Sequence, residues 1–114
     1  MKWLEHWVAI ADLDWDEPKV IDYRRGWETQ LRREVGPKHV LFEKPASLIA
    51  RRFDTDDALF ELSGGKVAAV HLTWARGQEQ DPRWPGCQIY DSLEEWARDG
   101  MTADHEDWSA SDAP

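Results

Sequence analysis

The segment from Ala58 to Trp74 reads ALFELSGGKVAAVHLTW and decides the fold class of this chain. Apolar side chains alternate on both sides of Gly64-Gly65, with the period of two that is typical of β-strands. Two adjacent glycines readily adopt the positive φ angles that a tight turn requires. The segment therefore predicts two antiparallel strands joined by a hairpin.

The turn at Gly64-Gly65 also predicts which residues pair across the hairpin. If these two glycines form the whole loop, Phe60 lies opposite Ala69, and His71 follows on the same face of the sheet. Asp56 is then a diagonal neighbour of His71. Apolar side chains fall on the other face as well, so the hairpin predicts a sheet that is covered, at least partly, on both sides.

The positions of the other strands and helices are predicted from the spacing of apolar residues and from the residues typical of turns. The predicted strands are Ser47–Phe53, Ala58–Leu62, Lys66–Trp74 and a short fourth strand at residues 88–90. The predicted helices cover residues 3–11, 17–35 and 92–100. The predicted fold class is α+β: a small antiparallel β-meander of three to four strands packed with about three helices.

Side-chain signals mark the ends of two predicted helices. Asp16 is suited to cap the second helix, with Pro18 in its first turn, where the missing N–H does no harm. Gly36-Pro37 predicts its end, because glycine supplies a left-handed cap and proline prevents continuation. Ser92 and Glu95 form a possible capping box for the last helix.

Length and composition predict one domain. The chain has 114 residues, which leaves no room for a second core. Residues 1–101 are expected to form the single α+β domain. Residues 102–114 contain no Lys or Arg and are expected to form a flexible acidic tail. If the tail is loose, deleting residues 102–114 leaves the thermal midpoint nearly unchanged, whereas a large drop would show that Trp108 docks the tail onto the domain.

Charge and apolar content exclude several classes of protein. The formal net charge is −9, which argues against a nucleic-acid partner. The N-terminus does not resemble a secretory signal, and no apolar run approaches the ~20 residues of a membrane span. The expected location is therefore the cytoplasm, without membrane contact.

No signature for a metal or cofactor is present, and the sequence predicts neither. His6, His39, His105 and Cys87 are scattered, without a Cys-x-x-Cys pair or a His-Glu-x-x-His run. The single cysteine, Cys87, excludes an internal disulfide. No sequence feature lowers the pKa of its thiol.

The candidate catalytic residues are His71, Asp56 and Asp57. A carboxylate beside an imidazole orients it and raises its basicity, as a general base requires. Aspartates between strands are equally ordinary in turns, and a lone histidine in a strand is often a satisfied core residue. The structural interpretation predicts a shielded His71, hydrogen-bonded to a carboxylate of residues 54–57 or to a backbone carbonyl.

The candidate binding residues are Arg52, Trp74, Arg83 and Trp84. Arg83 and Trp84 belong to a long loop, residues 75–88, in which two prolines flank them. Long loops in compact domains often carry function.

Three motifs resemble a family of small bacterial proteins to which no activity is assigned. They are the strands at Asp56–Phe60 and Val70–Trp74 and the Trp-Pro loop at Pro82–Pro85. The resemblance spans roughly residues 36–101 and implies a bacterial source. In size, acidity and tryptophan content the chain is also similar to immunity proteins of bacterial polymorphic toxins.

Three functions follow as hypotheses. The first is a non-catalytic acidic binding protein of the bacterial cytoplasm, with a basic protein or a second copy as partner. The second is a small enzyme using His71 and Asp56 as an acid–base pair, and the third is a structural or regulatory oligomer subunit. A concave pocket that holds His71 with Asp56 and Arg52 favours the enzyme, whereas a flat acidic patch favours the binding protein.

Overall fold

The computed structural model describes the backbone of residues 1–111 and the side chains of residues 1–107. Five strands form one antiparallel sheet in the order β1-β2-β3-β4-β5: β1 (Trp7–Ala9), β2 (Ser47–Arg52), β3 (Asp57–Glu61), β4 (Val67–His71) and β5 (Gly86–Tyr90). The helices are α1 (Glu17–Glu34), α2 (Leu93–Trp96) and α3 (Thr102–Ser111), and a π-helical segment (Ala97–Met101) joins the last two. The sequence correctly predicted an α+β fold, but the sheet has five strands.

The sheet is covered on both faces. On one face α1 packs Trp27 and Leu31 against Phe60 and other apolar residues of the strands. On the other face Trp96 and Met101, from the C-terminal helical segment (residues 93–111), pack against a second cluster of sheet residues. The sequence thus correctly indicated two covered faces.

Helix α1 begins and ends close to its predicted limits. The Asp16 carboxylate accepts a hydrogen bond from the Lys19 backbone N–H at 2.9 Å, which satisfies one donor of the first turn. Val35 leaves the helix in an extended conformation, so Gly36 is not the left-handed cap that we predicted. Instead, Gly36 allows a close approach: an added Cβ would lie 2.5 Å from the Glu79 carbonyl oxygen.

The hairpin register differs from the prediction by one residue. Its loop has three residues, Ser63–Gly65, because the Leu62 N–H bonds the Lys66 carbonyl at 2.8 Å. His71 therefore pairs with Asp57, and Ala69 pairs with Leu59. A shift of one residue exchanges the faces of one strand relative to the other.

The helix predicted over residues 3–11 is wrong. Trp7–Ala9 forms an edge strand that pairs with β2, and residues 10–12 form a single 3₁₀ turn. Trp7, Ala9 and Ile10 are buried, and such a short apolar run does not distinguish a strand from a helix. Over residues 1–111 the fold therefore has two helical segments, α1 and residues 93–111, and not the three helices predicted.

The last helix does not end at Gly100. Ser92 caps it as predicted, with its Oγ accepting the Glu95 N–H at 3.0 Å. The backbone then continues through the π-helical segment to Ser111. The expected tail is therefore helical over Thr102–Ser111, while the expectations for Trp108 and residues 112–114 lie outside the described residues. No helix within the described residues is long and apolar enough to cross a membrane.

Candidate functional site: the His71 cleft

Strand pairing aligns one residue from each strand in a row across the sheet, the transverse row. Its members are Trp7, Arg52, Asp57, His71 and Gly86. Directly paired residues of an antiparallel sheet point to the same face. The row faces the C-terminal helical segment, so the register alone places these side chains together.

A cleft of about 510 Å³, the His71 cleft, opens between this row and the C-terminal helical segment. It is lined by Trp7, Asp57, Ala69, His71, Gly86, Cys87, Gln88, Tyr90, Trp96, Asp99, Gly100, Ala103 and Asp104. Three of the described lining residues are aspartates, and none is Lys or Arg. The cleft therefore combines acidic and aromatic side chains.

His71 lies at the open end of this cleft. Its Nδ1 is 3.0 Å from Asp57 Oδ1, and about half of its side chain (52%) is exposed. Because a carboxylate only accepts, Nδ1 donates in this hydrogen bond, which leaves Nε2 for contact with solvent or a ligand. The prediction of a shielded imidazole is wrong, although the bond to a carboxylate of residues 54–57 is present.

Asp57, and not Asp56, is the partner of His71. The one-residue register shift explains the change, since it places Asp57 directly opposite His71. Thr55 Oγ1 donates to the second Asp57 oxygen at 2.6 Å and fixes the carboxylate. Asp56 is exposed, and its carbonyl accepts the Leu72 N–H.

Arg52 anchors the helical segment to the sheet. Its Nε and Nη2 donate to both oxygens of Asp54, at 2.9 and 3.1 Å. Its Nη1 lies 3.6 Å from Asp104 Oδ1, and Trp7 Nε1 donates to the other Asp104 oxygen at 2.9 Å. The guanidinium is nearly buried, so Arg52 positions neighbouring groups rather than presenting a free cation.

The electrostatic environment of the cleft disfavours further negative charge. Burial is the largest cause that raises the pKa of Asp104, and the carboxylates of Asp57 and Asp107 raise it further, against the lowering effects of Trp7 and Arg52. Burial also raises the pKa of Tyr90, and nearby aspartates including Asp104 add to that shift. The burial and the negative charges that raise these two pKa values also disfavour the binding of an anion in the cleft.

An aromatic wall closes the deeper part of the cleft. Trp7 packs edge-on against Trp96, with ring centroids 5.0 Å apart, and Trp3 packs on the same ring at 5.7 Å. Trp96 is fully buried, and its indole N–H has no hydrogen-bond partner among the described residues. Gly100 lies beside that N–H and leaves room for it.

The predicted binding residues lie in three different places. Trp84 lies at the mouth of the cleft, since a Cβ on Gly86 would contact both the Trp84 ring at 3.9 Å and the His71 Cβ at 3.8 Å. Arg83 points to solvent and pairs with Asp81. Trp74 lies outside the cleft, next to helix α1.

Trp74 packs edge-on against Trp27 at 4.8 Å. The structure thus brings His71, Asp57 and Trp84 together, with Arg52 beside them, and leaves Trp74 and Arg83 outside the cleft.

The Cys87 thiol is not suited to act as a nucleophile in the cleft. Cys87 borders the cleft, but its side chain packs with the apolar cluster under α1, on the opposite face of the sheet. Burial raises the pKa of its thiol to about 11, against a small opposing effect of Lys44. At neutral pH the thiol is therefore protonated.

Sequence reasoning missed Tyr90, at the end of β5, and the helical half of the site: Trp96, Asp99, Gly100 and Asp104. The helix was expected to end at Gly100, so the residues beyond it were assigned to a tail. One signal was present, because positions 96, 100, 103 and 104 share a helical face. A helix continued through Gly100 would have placed Asp104 near Trp96.

Comparison with known proteins gives no match to a family model, a curated protein or a solved structure. Among residues 1–107, no three His, Cys, Asp or Glu side chains are arranged to hold a metal ion.

Proposed function

We propose that this protein binds a small organic cation, an ammonium or guanidinium group, in the His71 cleft without chemical conversion. The observation that carries this proposal is the lining. Asp57, Asp99 and Asp104 face the same cleft as Trp7 and Trp96, and the described lining contains no Lys or Arg. Carboxylates attract a cation, and aromatic faces bind it through their negative π-surface.

The carboxylates keep enough acceptor capacity for a ligand. Asp104 accepts one bond from Trp7 and lies 3.6 Å from Arg52. A carboxylate has about four acceptor positions, so such a group can accept further bonds. A bound cation would also offset the unfavourable clustering of negative charge that raises the pKa of Asp104.

The charge of the whole chain supports the same proposal. A net charge of −9 increases the encounter rate with a positively charged partner and repels anions. A basic protein that inserts one Lys or Arg side chain would supply the required cation. The proposed ligand therefore agrees with the basic partner expected from composition.

A matched set of probes tests the proposal. Propylamine, which is protonated at neutral pH, is titrated against propanol and propionate, which have similar size but neutral and negative charge. We expect a chemical-shift change in the Trp7 indole resonance, whose N–H bonds Asp104, with propylamine and none with propanol or propionate. Asp104→Asn should weaken this binding about fivefold to tenfold, the usual effect of losing one charged contact.

Asp91→Asn is the matched control for Asp104→Asn. Asp91 pairs with the exposed Lys66, and it does not line the cleft. Its substitution should therefore leave propylamine binding unchanged. Equal responses to propylamine and propanol, or no response to either, would contradict the proposal.

An acid–base enzyme is the second candidate, because an exposed imidazole facing a cleft is hydrogen-bonded to a carboxylate at 3.0 Å. Asp57 here takes the role that we expected of Asp56. We rank it second because the described lining contains no Ser or Thr, and Cys87 faces away. Turnover in a substrate panel that is lost in both His71→Ala and Asp57→Asn, but kept in Asp91→Asn, would place it first.

A further inference from the structure

The Trp96 indole N–H is an unusual feature of the cleft wall. The ring is fully buried between the sheet and the helical segment, yet no described residue accepts from its Nε1. Most buried polar groups in proteins have a hydrogen-bond partner, and an exception requires an explanation. Trp7, in contact with the same ring, does have a partner, because its N–H bonds Asp104.

The unpaired N–H lies in a corner of the cleft beside Gly100, where no larger side chain would fit. A Cβ on residue 100 would lie 2.9 Å from Trp96 Nε1 and 2.9 Å from the Tyr90 hydroxyl oxygen. Any side chain here would therefore press on both polar groups. Trp96, Gly100 and Tyr90 all line the His71 cleft, so the corner belongs to the proposed binding site.

Gly100, which borders this corner, and the Asp104 carboxylate lie close together along the helix. Gly100 precedes Asp104 by four residues, which is about one helical turn, or roughly 5–6 Å. A ligand held by Asp104 therefore reaches the corner if a second polar atom lies roughly 5 Å from its charge. That atom must accept, since the indole N–H only donates.

Charge restricts the kind of acceptor. Asp99 and Asp104 line the cleft near this corner, and a carboxylate or phosphate would be repelled by them. A neutral oxygen, such as an amide carbonyl, meets both conditions.

We infer that the ligand of the His71 cleft is a short amino amide, in which an ammonium group pairs with the acidic lining and a carbonyl oxygen pairs with Trp96 N–H. This inference rests on the proposed function and narrows its ligand class. It also explains why a buried indole donor has no partner within the described protein.

Three probes of matched size test the inference. β-Alaninamide carries the ammonium and the carbonyl, propylamine carries the ammonium alone, and propionamide carries the carbonyl alone. We expect β-alaninamide to bind about tenfold tighter than propylamine, as one hydrogen bond to an unpaired donor predicts. Only β-alaninamide should shift the Trp96 indole N–H resonance downfield, as formation of a hydrogen bond does.

Trp96→Phe provides the matching variant and assigns the resonance. It removes the N–H but keeps an aromatic ring, so the tenfold preference for β-alaninamide over propylamine should disappear. Should this core substitution prevent folding, the resonance shift in the unaltered protein still tests the pairing.

The possible results separate the two proposals. Equal binding of β-alaninamide and propylamine, with the Trp96 resonance unmoved, overturns the amino-amide inference and leaves cation binding intact. A Trp96 resonance already downfield in the free protein, and unchanged by either probe, assigns a bound water as its partner and also overturns the inference. Binding of neither amine overturns the proposed function itself.

Discussion

Glu34 is a fully buried carboxylate whose hydrogen-bond donors are all neutral. One oxygen accepts from the Thr73 N–H and hydroxyl at 2.7 and 2.8 Å. The other accepts from Gln30 Nε2 at 2.7 Å and from the Trp74 N–H at 2.9 Å. Trp74 has a φ of 58°, and two successive N–H groups in such a turn form an anion-binding concavity. Glu34 thus fixes the chain after β4, next to the exposed Trp74 ring.

Glu34→Gln should lower the free energy of unfolding by about 2–4 kcal/mol, because whichever oxygen becomes an NH₂ group then faces at least one N–H donor. Urea denaturation measures the change. Glu28→Gln is the control, since among the described residues Glu28 accepts one hydrogen bond, from the Leu48 N–H at 2.8 Å, and an amide oxygen can replace the carboxylate there. We expect less than about 1 kcal/mol there. Equal losses in the two variants would contradict the role of Glu34.

Cys87 gives a second prediction for a single residue. Burial raises the pKa of its thiol to about 11, so the thiolate fraction near pH 8 is small. Iodoacetamide should therefore alkylate the folded protein at least tenfold more slowly than the urea-unfolded chain at the same pH. Similar rates in the two states would show that the thiol is accessible and ionised.

The two glycines within helical segments should respond in opposite directions to alanine. In α1, nothing lies within 4 Å of a Cβ on Gly26, so Gly26→Ala should raise stability by about 0.5–1 kcal/mol through helix propensity. In the π-helical segment, a Cβ on Gly100 would lie 2.7 Å from Trp96 Cδ1. Gly100→Ala should therefore lower stability by about 1–3 kcal/mol. Thermal unfolding of both variants tests the difference, and a stabilising Gly100→Ala would contradict the packing described.

The elements that carried side-chain signals were predicted best. Asp16 marked the start of α1, Ser92 marked the start of the last helix, and the glycine pair marked the hairpin. The hairpin register was predicted wrongly because Ser63 belongs to the turn. No residue near the loop indicates a three-residue connection. Strand β1 was not predicted because it has only three residues, which are too few to show a period of two.

Only the residues that the sheet contributes to the candidate site were predicted from the sequence. His71 and Asp57 were both candidates, but the register decides which aspartate meets the imidazole, and that depends on one residue of loop length. Glycine ordinarily ends a helix, and this signal at Gly100 outweighed the shared helical face of positions 96, 100, 103 and 104. The π-helical segment places Gly100 against Trp96 instead, and tertiary packing of this kind is not visible in local sequence.

At the scale of the whole molecule, the C-terminal helical segment closes the second core. Asp104 accepts from Trp7 and lies near Arg52, so three distant parts of the chain meet there. Deleting residues 102–114 should therefore lower the thermal midpoint by about 5–10 °C, the loss of roughly 1–2 kcal/mol in a domain of this size. A matched deletion of residues 112–114 removes none of these contacts and should change little. An unchanged midpoint after the longer deletion would support the flexible tail expected from composition.

The pH dependence of stability tests the environment of Asp104 directly. Burial raises its pKa in the folded protein, whereas in the unfolded chain an aspartate has its ordinary value of about 3.9. Between these two values the folded state binds more protons than the unfolded state. The contribution of Asp104 to the free energy of unfolding therefore falls as pH rises through this window, and it stays constant above the folded pKa.

Asp104→Asn removes this titration while its amide oxygen still accepts from Trp7. The stability of Asp104→Asn relative to the unaltered protein should therefore increase as pH rises from the ordinary aspartate pKa of about 3.9 through the raised pKa of folded Asp104, and then level off. Asp91 provides a control of opposite sign, because its hydrogen bond with Lys66 lowers its pKa. The relative stability of Asp91→Asn should decrease slightly as pH rises, since the exposed ion pair that it lacks forms only when Asp91 is ionised. Urea denaturation across this pH range measures both differences, and slopes of the same sign would show that Asp104 is not held in a buried, negatively charged cleft.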